Sequence, residues 1–152
     1  MPKPLPMRFL PFLLALALGL LLAHPSRAQD TSSLVGSWYG ELAVPEAKGG
    51  NPVNLRKWLR INRPDGTQTI TFRFYLDGRL QWEQVWVGTW AYRDGVYSTQ
   101  CQSLSAGGRS RPCSDRRTYG VDRIDAKEMV YTNRATGERF TVKRVPDDYR
   151  LP

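Results

Sequence analysis

Histidine and free thiols are almost absent from this sequence. Its one histidine is His24, and its two cysteines are Cys101 and Cys113. Because His24 lies in a stretch that we interpret below as a removable leader, the rest of the chain cannot form a Ser-His-Asp or Cys-His site, or a histidine-ligated metal or haem. If the two cysteines pair, no thiol nucleophile remains. The sequence therefore favours a protein that is not an enzyme and carries no cofactor or metal.

Carboxylates are the remaining route to catalysis, since two acids alone can hydrolyse a glycosidic bond. Asp65, Asp77 and Asp94 each precede a glycine, and turn geometry explains an aspartate at such a position. The acids of the predicted strands alternate with basic residues, which is typical of a solvated face. We therefore predict no catalytic residue.

The start of the chain has the three parts of a secretory signal peptide. Lys3 and Arg8 come first, an apolar run spans residues 9–23, and a small-x-small cleavage site ends at Ala28. The run is shorter than the roughly 20 residues of a membrane-spanning helix, which favours cleavage over anchoring. The sequence thus predicts a signal peptide over 1–28, one domain over 29–152, no membrane span after cleavage, and a periplasmic or secreted product.

The exported part is mildly basic and contains a single pair of cysteines. The whole chain has 22 basic and 14 acidic residues, and the leader holds Lys3, Arg8 and Arg27 but no acid. Outside the cytoplasm two lone cysteines normally pair, and closing a loop of this length stabilises a fold by ~3 kcal/mol on the chain-entropy model. We predict a structural disulfide between Cys101 and Cys113. Export also argues against a nucleic-acid partner.

From residue 34 onward the chain shows period-two alternation and no sustained helical period, which predicts an all-β domain. Asp-Gly pairs at 77–78 and 94–95 predict hairpin turns, and Gly88 predicts a bulge or turn in a long strand. The predicted strands span 34–42, 53–61, 70–76, 79–92, 96–104, 118–124, 128–133 and 138–145. Such a meander is best closed as an antiparallel up-and-down barrel of about eight strands, with a two-sheet sandwich as the alternative.

The alternation also predicts which side chains face the interior. In the second strand the odd positions from Val53 to Ile61 are apolar except for Lys57, so we expect Lys57 on the inner face, either as a counter-charge for an acidic ligand head group or snorkelling to water. The aromatic residues cluster between 58 and 92, where they form either core or the lining of a ligand cavity. The candidate ligand-binding residues are Lys57, Phe72, Phe74, Trp82, Trp86, Trp90 and Tyr92.

Residues 105–117 are predicted to form a polar, basic loop closed by the disulfide. Its arginines are Arg109, Arg111, Arg116 and Arg117. They provide either solubilising charge or a cationic rim for an acidic partner, such as a lipid head group, an anionic polymer or a protein surface.

Gly36-Ser37-Trp38 resembles the G-x-W opening of the lipocalin and wider calycin barrels, and among these the chain is most similar to small bacterial lipocalin-like domains. The resemblance covers residues 34–145 by pattern. It implies that Trp38 closes one end of the barrel and that an arginine of the last strand packs across it. Arg144 shares a face with Phe140 and Val142, as such an arginine must, and a guanidinium over an indole contributes ~1 kcal/mol.

Together these features predict a non-enzymatic exported binding module that holds a small amphipathic or aromatic ligand in its barrel. The alternative is an exported inhibitor or adaptor, which would bind a protein partner through the disulfide-closed basic loop. A carrier needs an unfilled interior, whereas an inhibitor needs a packed interior and a rigid exposed loop.

Overall fold

The computed structural model describes residues 31–44 and 53–152, and in these ranges the chain is almost entirely β-strand. A short 3-10 helix at Thr31–Leu34 precedes the strands. They are β1 Gly36–Ala43, β2 Leu55–Asn62, β3 Thr67–Leu76, β4 Arg79–Arg93, β5 Val96–Ala106, β6 Arg109–Pro112, β7 Arg116–Ile124, β8 Glu128–Asn133 and β9 Arg139–Val145. No helix in these ranges has the length and apolarity needed to cross a membrane. The predicted signal peptide lies outside the described residues.

The strands form one antiparallel sheet that closes on itself. The neighbours run β4-β3-β2-β1-β9-β8-β7-β5-β6, and an additional pairing of β4 with β5 closes the ring. Eight strands make the barrel, because β6 pairs only with the end of β5 from Ser103 to Ala106. The predicted up-and-down barrel is confirmed and the sandwich alternative is wrong. Closure gives each of these eight strands a neighbour on both sides over part of its length.

Both Asp-Gly pairs make the predicted hairpin turns. Asp77 and Asp94 have φ of 49° and 52°, and the glycines that follow both have φ of 75°. Positive φ at two successive residues is the geometry of the type I′ turn, whose twist matches that of the flanking strands. The predicted bulge is also present, at Val87/Gly88 in the pairing of β4 with β5.

The predicted basic loop over residues 105–117 is wrong, because this segment is a hairpin. Gly107 and Gly108 turn the chain, and β6 then pairs back on β5. The strand was hidden in the sequence because β6 has no apolar residue to mark an inner face. The predicted disulfide is confirmed, with Cys101 and Cys113 joined at a Cα–Cα distance of 5.5 Å.

The predicted inner face of the second strand is also wrong. Trp38 and Gly40 of β1 lie opposite Arg60 and Trp58 of β2, and directly paired residues share a face of the sheet. The even positions of β2 therefore face the interior, and Lys57 faces outward.

The odd positions of β2 other than Lys57 are apolar because residues that follow β9 cover the outer face of the neighbouring strands. Asp147 accepts a hydrogen bond from Ser37 at 3.0 Å, and the ring of Tyr149 lies 5.5 Å from that of Tyr39. Leu151 is buried. This segment has no periodicity in the sequence, so its effect on the hydrophobic pattern could not be anticipated.

One end of the barrel is closed by Trp38, which is 0% exposed. The guanidinium carbon of Arg144 lies 4.2 Å from the centre of the Trp38 ring, and Arg144 also donates hydrogen bonds to the carbonyls of Ser33 and Val35, each at 2.6 Å. A Cβ on Gly36 would lie 2.6 Å from this guanidinium, and its φ is +117°. The G-x-W sequence thus has a physical reason, since only glycine leaves room for the arginine that covers the tryptophan.

Candidate functional site

A small cavity of about 30 Å³ lies inside the barrel, toward the end opposite Trp38. That volume holds roughly two water molecules, far less than the several hundred Å³ of a typical small-molecule site. The lining residues, which we call the inner cavity, are Arg56, Trp58, Arg60, Ile70, Phe72, Trp86, Thr99, Arg117, Tyr119, Tyr131 and Phe140. The interior is therefore mostly packed, and it leaves room for only a few heavy atoms.

Aromatic rings fill the barrel around and below this cavity. Trp58 meets Phe140 edge to face at a centroid distance of 5.9 Å, and Tyr131 stacks on Phe140 at 5.3 Å. Of the predicted ligand-binding residues, Trp90 belongs to this buried core and Tyr92 packs against it. Trp90 is buried and donates a hydrogen bond from its indole N–H to the carbonyl of Arg63 at 3.0 Å. Neither Trp90 nor Tyr92 lines the inner cavity.

Beyond the cavity the inward-facing side of four strands continues as an aromatic and basic surface. This surface exists because β5 pairs with β7 only from Val96 to Gln100. The end of β5 pairs with β6 instead. Cross-strand pairing places the following inward-facing residues on this surface, which we call the mouth wall: Phe72, Phe74, Trp82, Gln84, Trp86, Leu104, Ala106, Arg109 and Arg111.

The mouth wall brings together four of the predicted ligand-binding residues, all of them half-buried. The rings of Phe74 and Trp82 stack at 4.7 Å, and Phe72 meets Trp86 edge to face at 5.6 Å. An open pocket of about 410 Å³ adjoins them. Its lining residues are Gln84, Leu104, Ala106, Arg109, Ser110 and Arg111. This volume is in the range of small-molecule sites.

Arg60 places a positive charge inside the barrel without an acidic partner among the described residues. Its side chain is 4% exposed, and its guanidinium carbon lies 4.8 Å from the ring of Tyr97 and 5.1 Å from that of Tyr131. Burial lowers the pKa of Arg60, but interactions with Tyr131, Tyr97 and Tyr119 outweigh it and hold the pKa above its ordinary value. The side chain is therefore charged, and the ring faces provide only part of the stabilisation that water would give.

Further hydrogen-bond donors surround the same cavity. Arg56 lies 5.4 Å from the ring of Trp58, and Arg117 lies 4.4 Å from the ring of Trp86. Within the described part of the chain, four buried donor atoms lack a hydrogen-bond acceptor: Arg56 Nε, Arg60 Nε, Arg60 Nη1 and Trp86 Nε1. None of the residues that line the inner cavity is acidic. The cavity is thus cationic and rich in unpaired N–H groups.

Lys57, the predicted counter-charge, does not reach this cavity. Its Nζ atom lies 5.3 Å from the ring of Tyr75 on the outer face, and its neighbours across the strands are Glu41 and Arg73. Sequence reasoning missed Arg56 and Arg60, which occupy the inward positions. The signal that could have found them is Trp58, because a buried tryptophan between two arginines in strand alternation places all three on one face.

The four arginines predicted as one basic loop point in different directions. Arg109 and Arg111 are exposed on β6 and lie opposite Ala106 and Leu104 of the mouth wall. Arg116 is exposed on the barrel surface, whereas Arg117 faces inward over Trp86. The sequence analysis did not separate them, because it predicted residues 105–117 as a loop, and a loop has no alternation that assigns side chains to a face.

No protein-family model matches this chain, and a search of curated proteins gave no match. The eight-stranded antiparallel barrel is consistent with a calycin-like fold. Among the described residues no three His, Cys, Asp or Glu side chains come together where they could hold a metal ion. A barrel with a disulfide is compatible with a binding module.

Proposed function

We propose that this protein is a non-enzymatic, exported binding module that holds a small amphipathic or aromatic molecule at the mouth of its barrel. The observation that carries the proposal is the aromatic mouth wall, which lies next to a cationic cavity too small to enclose a whole ligand. The predicted signal peptide supports a periplasmic or secreted location, where such a module would meet its ligand.

The half-buried rings of the mouth wall support binding of an apolar or ring-bearing group. Trp82 and Phe74 already stack at 4.7 Å, and aromatic pairs of this kind offer a flat apolar surface at little cost in side-chain entropy. Because Trp58, Tyr131 and Phe140 fill the barrel below, the ligand would lie across the mouth. This differs from a carrier that encloses its ligand in the barrel interior.

The residues near the mouth also favour binding over catalysis. The part of the chain after the leader has no histidine, both cysteines are in the disulfide, and the inner cavity has no acidic lining residue. The candidate site thus lacks the histidine, thiol and carboxylate groups that most often act as general base or nucleophile, which supports a binding role.

Tryptophan fluorescence tests the proposal directly, because Trp82 and Trp86 are part of the mouth wall. We expect saturable changes in emission with at least one member of a panel of alkyl and aromatic amphiphiles, together with a rise in Tm. Trp82→Ala and Phe74→Ala should weaken binding by about tenfold or more, since each removes stacking area. Val87→Ala is the matched control, because Val87 is exposed on the outer face of the same strand. The absence of saturable binding across the panel would contradict the proposal.

A second function, that of an inhibitor or adaptor for a protein partner, is favoured by the disulfide-closed hairpin. Cys101 and Cys113 tie β5 to the segment after β6, and this hairpin exposes Arg109 and Arg111 beside a mostly packed barrel. Native mass spectrometry of the protein isolated from its own envelope separates the two candidates. A bound small molecule favours the first function, and a stoichiometric protein partner that Arg109→Glu/Arg111→Glu releases favours the second.

A further inference from the structure

Arg60 lines the inner cavity at the foot of the mouth wall, and it is a buried cation with two donor atoms that have no partner among the described residues. We infer that this cavity is a subsite for one negatively charged head group of the carboxylate type, held by Arg60, Arg56 and the indole N–H of Trp86. The inference rests on the proposed function, because the mouth wall would bind the apolar body of the same molecule. The ligand would then be a small amphipathic acid.

The first argument is charge. Three of the residues that line the cavity are arginines, and none is acidic. Ion pairs such as that of Arg73 with Glu83, at 2.8 Å, occur elsewhere on the barrel, but Arg60 takes part in no ion pair among the described residues. A charge removed from water without a partner is unfavourable. An anion in the cavity would supply the missing counter-charge.

The second argument is hydrogen bonding. Arg60 Nε and Nη1, Arg56 Nε and Trp86 Nε1 are buried and have no acceptor within the described residues. Buried donors in proteins are almost always paired. A carboxylate accepts up to about four hydrogen bonds and donates none, so it matches a cavity whose lining residues carry four unpaired N–H donors. A hydroxyl or an amide would match this group less well.

The third argument is size. A volume of about 30 Å³ admits a head group of a few heavy atoms and excludes a sugar or a nucleotide. The rest of the molecule must then leave the cavity past Phe72 and Trp86, which belong to both the cavity and the mouth wall. Phe72 lies opposite Gln84 and Trp86 lies opposite Leu104 in the strand pairing, so the chain of the ligand would next contact Gln84 and Leu104.

Arg109 and Arg111 are a less suitable place for the head group, because both are exposed. An ion pair with an exposed arginine is weakened by water and by salt, whereas a buried pair is screened much less. Salt dependence therefore reports where the negative charge is bound.

The experiment compares decanoate with decanol, which have the same chain length and differ in head-group charge. We expect the wild-type protein to bind decanoate at least about tenfold more tightly than decanol. Arg60→Met should abolish that difference. Lys57→Met is the matched control, because it removes a positive charge from the outer face of the same strand, and it should preserve the difference. Raising NaCl from 0.05 to 0.5 M should weaken decanoate binding less than threefold.

Trp86→Phe keeps the test decisive if Arg60→Met does not fold. It retains a ring beside Phe72 and Arg117 but removes the indole N–H. The preference for decanoate over decanol should therefore fall several-fold, because the loss of ring area affects both ligands alike. Acetate, a head group without a chain, gives an independent measurement: it should raise the Tm of the wild type more than that of Trp86→Phe.

The outcomes separate the two proposals. Equal affinity for decanoate and decanol would overturn the anion subsite and leave the proposed function intact. If neither amphiphile binds but acetate stabilises the wild type selectively, the proposed function fails and the subsite is supported. If none of the three ligands binds, both are wrong.

Discussion

Arg60 lies directly opposite Trp38 in the pairing of β1 with β2. Paired residues of adjacent strands share a side of the sheet. Because Trp38 faces the interior of the barrel, Arg60 faces the interior as well. Arg144 lies opposite Trp38 on the other side, in β9. The indole is thus flanked in register by two arginines, one that covers the barrel end and one that faces the cavity.

We predict that Arg60→Met leaves the stability of the protein within about 1 kcal/mol of the wild type, or raises it. The variant loses both the desolvation cost of the charge and the contacts of the guanidinium with Tyr97 and Tyr131, so the two changes largely offset each other. Urea unfolding at neutral pH measures the change. A loss of more than about 2 kcal/mol would instead show that Arg60 serves mainly to hold Tyr97 and Tyr131 together.

Gly36→Ala should destabilise the barrel by about 2 kcal/mol or more. The new Cβ would meet the guanidinium of Arg144 at 2.6 Å in a backbone of φ +117°, so the arginine would have to leave the Trp38 ring. Gly78→Ala is the matched control, because Gly78 also has positive φ but no atom within 4 Å of an added Cβ. It should cost about 1 kcal/mol from backbone strain alone. Equal losses in the two variants would contradict this account of the closed end.

Removal of the disulfide by Cys101→Ser/Cys113→Ser should lower the free energy of unfolding by ~3 kcal/mol, since the unfolded chain regains the entropy of the closed loop. Denaturant unfolding of the variant and of the oxidised wild type gives the difference. Thiol titration of denatured, unreduced protein is the accompanying check, for which we expect no reactive thiol. Two thiols per chain would refute the bridge.

Stability should fall as the pH rises from about 10 to about 12. Burial raises the pKa of Tyr97 to about 12 against the competing influence of Arg60, and burial raises the pKa of Tyr131 as well. Above pH 10 these tyrosines ionise in the unfolded chain but stay neutral in the folded protein. The free energy of unfolding therefore falls until the pH exceeds the pKa of the tyrosine in the folded protein. The contribution of Tyr97 is about 3 kcal/mol for a shift of this size. Urea unfolding at several pH values measures it.

Tyr97→Phe should flatten this dependence, because the titrating hydroxyl is lost. The variant also leaves the side-chain oxygens of Asn62 and Gln68 without the hydroxyl that donates to them, so its stability at neutral pH should be lower. An unchanged slope between pH 10 and 12 would assign the alkaline transition to other groups.

The candidate site was only partly predictable from the sequence. The aromatic cluster was recognised, but Trp90 is core and Tyr92 packs against the core. The mouth wall is formed by Phe72, Phe74, Trp82 and Trp86. Lys57 was assigned to the interior, where Arg60 and Arg56 lie instead. A one-residue shift in strand parity moves every side chain to the other face. Both faces of β2 carry apolar and basic residues, so Trp58 between Arg56 and Arg60 was the one local sign of its inner face.

The sequence by itself determined the features that depend on local chemistry. Period-two alternation required strands, Asp77-Gly78 and Asp94-Gly95 required tight hairpins, and Gly36 with Trp38 and Arg144 indicated how the barrel closes. Only the tertiary structure decided the inner face of β2, the strand hidden at Arg109–Pro112, and the meeting of three arginines at one cavity. These depend on cross-strand register and on the packing of residues 146–151, and no interaction between neighbours in the chain encodes either.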